Sequence, residues 1–432
     1  MFNKIYIFLT IIIFSLLFID CSDVDDFSED SSAINDTIDT NGFEVTLDFQ
    51  ILKLYTPTRI LKIIDEHDGY LIFTEEIVSN DDINSIRIIK IDNDFNEKWS
   101  FLINETNYYE DLYGVFELTN GEYLAVLNTV KNYLGVIRSE VYGLKFSSSG
   151  TVLLKKSYLN PRNFDSYVSH DMPIYFENNS NELKFMVISD SLYNNSEQRQ
   201  YYNELTVDKN FNVLKEKILP FNTSSKYEFG QMIYNIFGNK YVYGNKWVLD
   251  YQIGNTKYGS LQAVLIKYGL ENNQFYSNEF GEKKKDENFS KVLIDNNKII
   301  AIGEHSNANN DYAYHRWITQ IDENGGNIIW EIKQDNKLFT GIYSSYVGID
   351  IIKDIDSNYL ALFAEGSSNE KCSTLIKIDD KGKILWTITD TNDENYNSYS
   401  FYPCKIFIRN NEYLIFGMEK DNKLWVKKIK KL

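Results

Sequence analysis

LIKIDDKGKILWTI, residues 375–388, reads as a strand, a polar turn and a second strand. A close copy, ITQIDENGGNIIWEI, spans 318–332, and a worn one, IIKIDNDFNEKWSF, spans 88–101. The hairpin recurs less visibly as VYGLKFSSSGTVLL, YNELTVDKNFNVLK and AVLIKYGLENNQFY. In each, apolar and polar residues alternate on both sides of a turn of Asp, Asn, Ser and Gly, the pattern of two antiparallel strands. Asp92, Ser147, Asp208, Gly269 and Asp379 each precede by seven a residue of the following strand: Trp99, Leu154, Lys215, Tyr276 and Trp386. The fifth copy has one more turn residue between Asp322 and Trp330.

A second unit, a polar turn followed by an apolar strand, precedes the hairpins: DGYLIF, GEYLAV, NELKFMV, NKYVYG, NKIIAI, SNYLAL and NEYLIF. Anchored at Tyr70, Tyr123, Leu183, Tyr241, Ile299, Tyr359 and Tyr413, these are spaced by 53, 60, 58, 58, 60 and 54 residues. A near-constant period over seven occurrences is the mark of a repeat architecture. Another short strand precedes each unit, as in LYGVFEL (112–118) and KIFI (405–408), so one period holds four strands, the content of one propeller blade. The last copy ends with KLWVKKI (423–429), one strand short, whereas GFEVTLDFQI (42–51) is a strand with no repeat of its own. Pairing the two closes the ring and removes the open sheet edges. The sequence therefore predicts an all-β chain: a seven-bladed β-propeller of four-stranded antiparallel blades over 42–432, closed by an N-terminal strand. A sandwich would not carry this period, and a β-helix repeats at far shorter intervals.

The pattern ID-x-x-G-x-x-x-W, clearest at Ile378, Asp379, Gly382 and Trp386, resembles the pyrroloquinoline-quinone-like propeller repeat, as an architecture over residues 42–432. The resemblance implies that Gly allows the turn while Trp packs between neighbouring blades. Members that use the cofactor bind the quinone with a calcium ion and adjacent cysteines. This chain has no adjacent cysteine pair, so no cofactor is expected. Members without cofactor include lipoproteins that assist outer-membrane-barrel assembly, usually with eight blades.

MFNKIYIFLTIIIFSLLFIDC begins with a basic residue, Lys4, followed by fifteen mostly apolar residues from Ile5 to Ile19. That length suits a signal-peptide core and is short for a spanning helix. Residues 1–20 resemble a bacterial lipoprotein signal with Cys21 as the lipidated residue, although Asp20 stands where such signals favour a small side chain. An ordinary secretory signal or an uncleaved anchor is the other reading. Residues 22–41, SDVDDFSEDSSAINDTIDTN, are acidic and poor in large apolar groups, so with Cys21 they form a tether reaching about 25 Å. The acidic run also resembles surface-export signals of some Gram-negative lipoproteins. The expected location is the bacterial cell envelope, with the membrane as partner through a lipid anchor in the outer membrane and an extension to the cell surface.

Lys and Arg total 44 against 62 Asp and Glu, a net charge of −18. That field repels phosphate backbones, so nucleic acid is not an expected partner. Beyond Cys21, only Cys372 and Cys404 are present, enough for at most one bridge in an oxidising compartment.

Turns within the two hairpins of each blade are tight, while the connections between second and third strands and between blades are expected to be long loops sharing one face. They include NETNYYEDLY (104–113), LNPRNFDSYVSH (159–170), WVLDYQIGNTKYG (247–259), EHSNANNDYAYHRW (304–317), LFTGIYSSYVG (338–348) and DTNDENYNSYSFYP (390–403). Tyr108, Tyr109, Tyr167, Tyr251, Tyr258, Tyr312, Tyr314, Tyr343, Tyr346, Tyr396 and Tyr399 are the candidate ligand-binding residues, since tyrosine offers a large contact surface at low entropic cost. His305, His315, Glu304 and Asp311 share a stretch but follow no metal-binding motif, so no metal site is assigned. The turns DNDFNE and DENGGN lack the spacing and closing Glu of calcium loops and read as hairpin turns. No GxSxG, HExxH or phosphate loop occurs, and no catalytic residue is assigned. The expected function is non-enzymatic: a cell-envelope lipoprotein binding a protein or glycan through its long-loop face. An envelope assembly scaffold is the alternative, followed by a polysaccharide hydrolase or lyase.

Overall fold

The computed structural model describes residues 43–44, 50–52, 57–77, 84–103, 109–118, 120–133, 136–158, 165–167, 175–177, 182–193, 197–218, 227–234, 240–253, 256–269, 274–282, 285–306, 314–324, 326–334, 345–366, 371–390, 402–418 and 424–431. The expected signal peptide, the expected lipidation residue Cys21 and the expected tether lie outside them. Every regular element among the described residues is a β-strand.

Seven antiparallel sheets follow one another along the chain. Blade one is Pro57–Glu66, Gly69–Ile77, Asn84–Asp92 and Glu97–Ile103. Blade two is Tyr109–Glu117, Glu122–Tyr133, Val136–Ser147 and Val152–Tyr158. In blade three the first strand is split into Asp165–Tyr167 and Tyr175–Glu177, both paired with Glu182–Tyr193, and Glu197–Asp208 and Val213–Ile218 follow. Blade four is Tyr227–Tyr234, Lys240–Ile253, Thr256–Tyr268 and Gln274–Phe280. Blade five is Glu287–Asp295, Lys298–Ser306, Tyr314–Asp322 and Ile328–Gln334. Blade six is Ser345–Lys353, Tyr359–Gly366, Lys371–Ile378 and Ile384–Asp390. Blade seven has Tyr402–Arg409, Glu412–Met418 and Leu424–Lys431. Its fourth strand is N-terminal: Phe43–Glu44 pairs with Lys431 and Lys430, and Gln50–Leu52 with Val426 to Leu424. The closure expected from the sequence is present, in two pieces.

The apolar runs of the second and third strands point into the spaces between blades. Leu71, Phe73, Ile86 and Ile88 of blade one pack with Tyr123, Ala125 and Phe146 of blade two. Equivalent clusters join blades two, three and four, then four to five, five to six and six to seven. Tyr70, Ile72 and Phe95 of blade one meet Leu414, Phe416 and Val426 of blade seven, which completes the circuit. The fold is a seven-bladed β-propeller. The first strands of all blades but the third carry a bulge against the second, for instance between Leu112 and Gly114, Phe289 and Lys291, and Gly348 and Asp350. One extra residue sharpens the local twist of the strand.

Two devices lock the blades at the tight-turn face. The third-to-fourth turns repeat one geometry, with paired backbone hydrogen bonds as at Asp379 N to Lys383 O and Gly382 N to Asp379 O. A left-handed residue sits three places after the Asp or Ser in four of them: Phe95, Gly150, Phe211 and Gly382. In the longer fifth copy it is Gly326. The Asp carboxylates bind the turn from inside: Asp379 Oδ1 accepts from Lys381 N and Lys383 N, as Asp92 Oδ1 does from Asp94 N and Asn96 N. These are hairpin turns, as the sequence indicates. Where the left-handed residue is glycine, an aromatic ring of the preceding blade lies on it: Trp99 on Gly150, Tyr276 on Gly326 and Trp330 on Gly382. The Trp99 indole N–H also donates to Ser148 O at 2.8 Å and that of Trp330 to Asp380 O at 3.3 Å. In blades one and three the glycine is replaced by phenylalanine, which reaches backward itself. Phe95 packs on Phe416 of blade seven, and Phe211 lies against Gly143 of blade two.

The repeated tyrosine that sets the sequence period is the second device. Tyr359 donates to Asp295 at 3.1 Å and Tyr413 to Asp354 at 2.8 Å, each reaching the end of the first strand of the preceding blade. Burial, reinforced by these carboxylates, raises both phenols well above their ordinary value. Tyr70 lies beneath the Arg409 guanidinium of blade seven, 5.2 Å from ring centroid to Cζ. Cys404 lies at the bulge of blade seven's first strand.

Candidate binding face

Because strands alternate in direction, the second-to-third connections and the links between blades all emerge on the face opposite the tight turns. Two features distinguish it.

The first is a set of long hairpins. The second and third strands of blades two and three have 12 residues each, and those of blade four 14 and 13. In blade five both have 9 residues and in blade six both have 8. At about 3.3 Å per residue the surplus carries three neighbouring hairpins roughly 10–20 Å farther out than those of blades five and six. This corrects the expectation of a long loop over 247–259: Trp247 pairs with Leu261, Tyr251 with Tyr258 and Ile253 with Thr256. Tyr and Trp suit a pleated strand as well as a loop, and only two residues separate Ile253 from Thr256, so strand pairing continues. The same extension brings Tyr133, Tyr193, Tyr201 and Tyr202 into paired strands at this end of blades two and three, residues not assigned from the sequence.

Of the eleven candidate tyrosines, Tyr109, Tyr167, Tyr251, Tyr258, Tyr314 and Tyr346 occupy strand positions at this end of their blades. Tyr108, Tyr312, Tyr343, Tyr396 and Tyr399 lie outside the described residues.

The second feature is a polar floor. Along each second strand an apolar belt gives way to polar residues on approaching this face. In blade one Leu71, Ile72 and Phe73 are followed by Thr74, Glu75 and Glu76, all buried. Blade two turns from Leu127 to Asn128 and Thr129, and blade five from Ile302 to His305 and Ser306. Glu110, Asn203, Glu204, Ser260, Gln262, Glu287, His315, Arg316, Ser373 and Thr374 extend the layer. It is braced internally. Arg87 donates to Glu76 at 2.7 Å, Tyr142 to Glu110 at 3.4 Å, and Lys405 bridges to Asp350 at 2.6 Å.

Blade five carries the densest part. Register places Glu287 opposite His305 and His305 opposite His315, so all three share the side facing blade four, with the two imidazoles 5.3 Å apart. Burial raises the Glu287 carboxyl, opposed by the backbone N–H of Glu282, which donates to it at 2.6 Å, and by Lys333 at 3.5 Å. Glu304 and Arg316 are opposite each other on the other side, facing blade six. Neighbouring residues of a strand point to opposite sides, so Glu304 cannot converge with His305 and His315, and Asp311 lies outside the described residues. Among the described residues no group of three His, Cys, Asp or Glu is placed to hold a metal ion.

Glu304 has unusual electrostatics. Burial pushes its carboxyl up to about 7, tempered by a hydrogen bond from Asn288 and reinforced by the charge of Asp286. Arg316 points its guanidinium at Gln334 Oε1 (3.2 Å) and Thr374 Oγ1 (3.5 Å). The folded state thus binds more protons at this position than the unfolded chain between the ordinary carboxylate range and about pH 7, so stability falls as pH rises through that window. Glu304→Gln is expected to be more stable than the parent by about 2–3 kcal/mol at pH 8 and indistinguishable from it at pH 4. Urea titrations at the two values check this, and equal differences at both would contradict it.

No protein-family model matches the sequence, and no curated protein matches it. Among solved structures, a member of the DUF4221 family from Bacteroides vulgatus is similar over 91% of this chain and 99% of its own, with 10% identity and TM-score 0.38. A polysaccharide lyase described as an ulvan lyase is similar over 76% of this chain and 80% of its own, at 13% identity and TM-score 0.47. The endo-arabinase of Bacteroides thetaiotaomicron is similar over 67% and 96%, at 9% identity and TM-score 0.33. The fold assignment stands on the seven sheets themselves.

Proposed function

We propose that this chain is a non-enzymatic lipoprotein of the bacterial cell envelope that binds a protein or a glycan through its long-loop face. The observation that carries the reading is the polar floor, present at that end of blades one to six and flanked by the three raised hairpins. Buried hydrogen-bonding groups on a rigid scaffold supply orientation, and the aromatic positions of the hairpins supply contact area. Ring-on-glycine packing between blades supports a repeat of the pyrroloquinoline-quinone-like kind, without a cofactor role.

Tyr251→Ala with Tyr258→Ala is the variant that tests it, since the pair lies in register on blade four's raised hairpin. Capture of the ligand from native membranes by the full-length protein is expected to weaken about tenfold or more, as for aromatic hot spots, with the circular dichroism spectrum unchanged. Undiminished capture would count against the face.

A hydrolase or lyase draws on a different observation, the Glu304 carboxyl that titrates near neutrality as a general acid does. Glycoside hydrolysis requires a second carboxylate across one bond; Glu287 lies on the opposite side of the sheet, and Asp286, whose charge reaches Glu304, accepts the Leu261 N–H of blade four at 2.7 Å. This ranks the enzyme behind both the binding module and the envelope scaffold.

A further inference from the structure

We infer that the tight-turn rim of the propeller is a lipid-docking surface that rests on a zwitterionic bilayer and turns the long-loop face away from it. The inference builds on the lipoprotein reading above.

Eight large apolar side chains are exposed among the described residues, and all lie at this rim. Seven open the fourth strands of their blades: Val152 and Leu153, Val213 and Leu214, Ile328 and Ile329, and Leu385. The eighth, Ile355, is 66% exposed between the first two strands of blade six. The recurrence has a local cause. The fourth strands of blades one to six bulge just after their turns, and the extra, unpaired residue is Lys98 in blade one, Phe275 in blade four and Leu153, Leu214, Ile329 and Leu385 in blades two, three, five and six. A bulge turns its residue off the sheet, and here the turned-out residue is aliphatic in four blades. Solvent-facing bulge positions have no need of Leu or Ile, and the paired aliphatics that recur on blades two, three and five, with Leu385 and Ile355 on blade six, form apolar patches that mark a contact surface.

The place where the chain enters the propeller selects the occupant. Phe43 pairs with Lys431 and Leu52 with Leu424, so the N-terminal strand runs from the tight-turn face toward the long-loop face, like every other fourth strand. The 20 residues between Cys21 and Gly42 therefore join the propeller at the apolar rim. The tether expected over these residues, with a reach of about 25 Å, would keep this rim near any bilayer that holds Cys21. Charge narrows the choice of lipid. The turns at this face mix carboxylates with lysines, Asp92 being bridged by Lys98 and Asp380 by Lys298, so they offer no strong attraction to an anionic surface and apolar insertion into zwitterionic lipid is the interaction that remains.

The test uses the full-length protein reconstituted in phosphatidylcholine vesicles that contain a diazirine-bearing phosphatidylcholine, with lipid adducts mapped by mass spectrometry. Adducts are expected on the fourth-strand peptides around Leu153, Leu214, Ile329 and Leu385, and Leu153→Glu with Leu214→Glu is expected to abolish those of blades two and three only. Adducts restricted to residues 1–41 would leave the anchor standing and overturn the docking. Adducts on the second-to-third hairpins would overturn the orientation. Links between fourth strands of two copies, without lipid adducts there, would assign the rim to self-association and overturn the proposal. The mass of the Cys21 peptide is read in parallel: absence of acyl chains would refute the lipoprotein reading itself, and the docking that rests on it.

Discussion

Gly382→Ala is expected to destabilise the propeller by about 3 kcal/mol, from the left-handed backbone penalty of ~1–2 kcal/mol plus overpacking of ~1–3 kcal/mol. Gly382 has φ of +84°, and an added Cβ would stand 2.6 Å from the Trp330 ring of the preceding blade. Gly121 provides the control. Its φ is +74° but nothing lies within 4 Å of its Cβ position, so Gly121→Ala should cost only the backbone share, about 1 kcal/mol. Combining Gly382→Ala with Trp330→Ala removes the collision, so the double variant should be less destabilised than the two single effects added together. Urea denaturation of the parent, the two single variants, the double variant and the Gly121→Ala control measures this. Strict additivity would show that ring and glycine do not meet in solution.

Removal of the N-terminal strand is expected to have a larger effect. Without residues up to Leu52, the third strand of blade seven becomes a sheet edge. The Leu424, Trp425, Val426 and Ile429 side chains, now buried, lose cover along that edge. Full exposure of one such side chain costs about 1.5–3 kcal/mol, so full exposure of all four, about 6–12 kcal/mol, would match the whole stability of a domain, about 5–15 kcal/mol. The open edge would also pair with other chains. A chain beginning at residue 53 should therefore lose its cooperative unfolding transition and aggregate, as followed by calorimetry and light scattering. An unchanged transition would contradict closure by that strand.

The blade count, the hairpins and the closing strand were legible because each leaves a local mark. The anchors at Tyr70, Tyr123, Tyr241, Tyr359 and Tyr413 recur because their rings fill the gaps between blades, and the phenols of Tyr359 and Tyr413 reach a carboxylate one blade back. Phe95 and Phe211 obscured the third-to-fourth turn by standing where glycine is expected, since a backward-reaching ring can replace a forward-reaching tryptophan. The face was less legible. Whether 247–259 is loop or hairpin depends on cross-strand pairing that no single stretch displays. The polar floor depends on register: Glu287, His305 and His315 are brought together by pairing across three strands, while Glu304 beside His305 in sequence is turned to the other side. The exposed aliphatics of the rim looked like ordinary alternation until the bulges turned them outward.

The most direct test of recognition through the long-loop face is cross-linking of the full-length protein in intact native membranes, with the linked peptides mapped by mass spectrometry. The account predicts a reproducible protein or glycan adduct on the second-to-third hairpins of blades two, three and four and on the adjoining end of blade five. Protein adducts confined to the tight-turn face and the fourth strands, with the hairpins clean, would contradict it and favour the envelope scaffold.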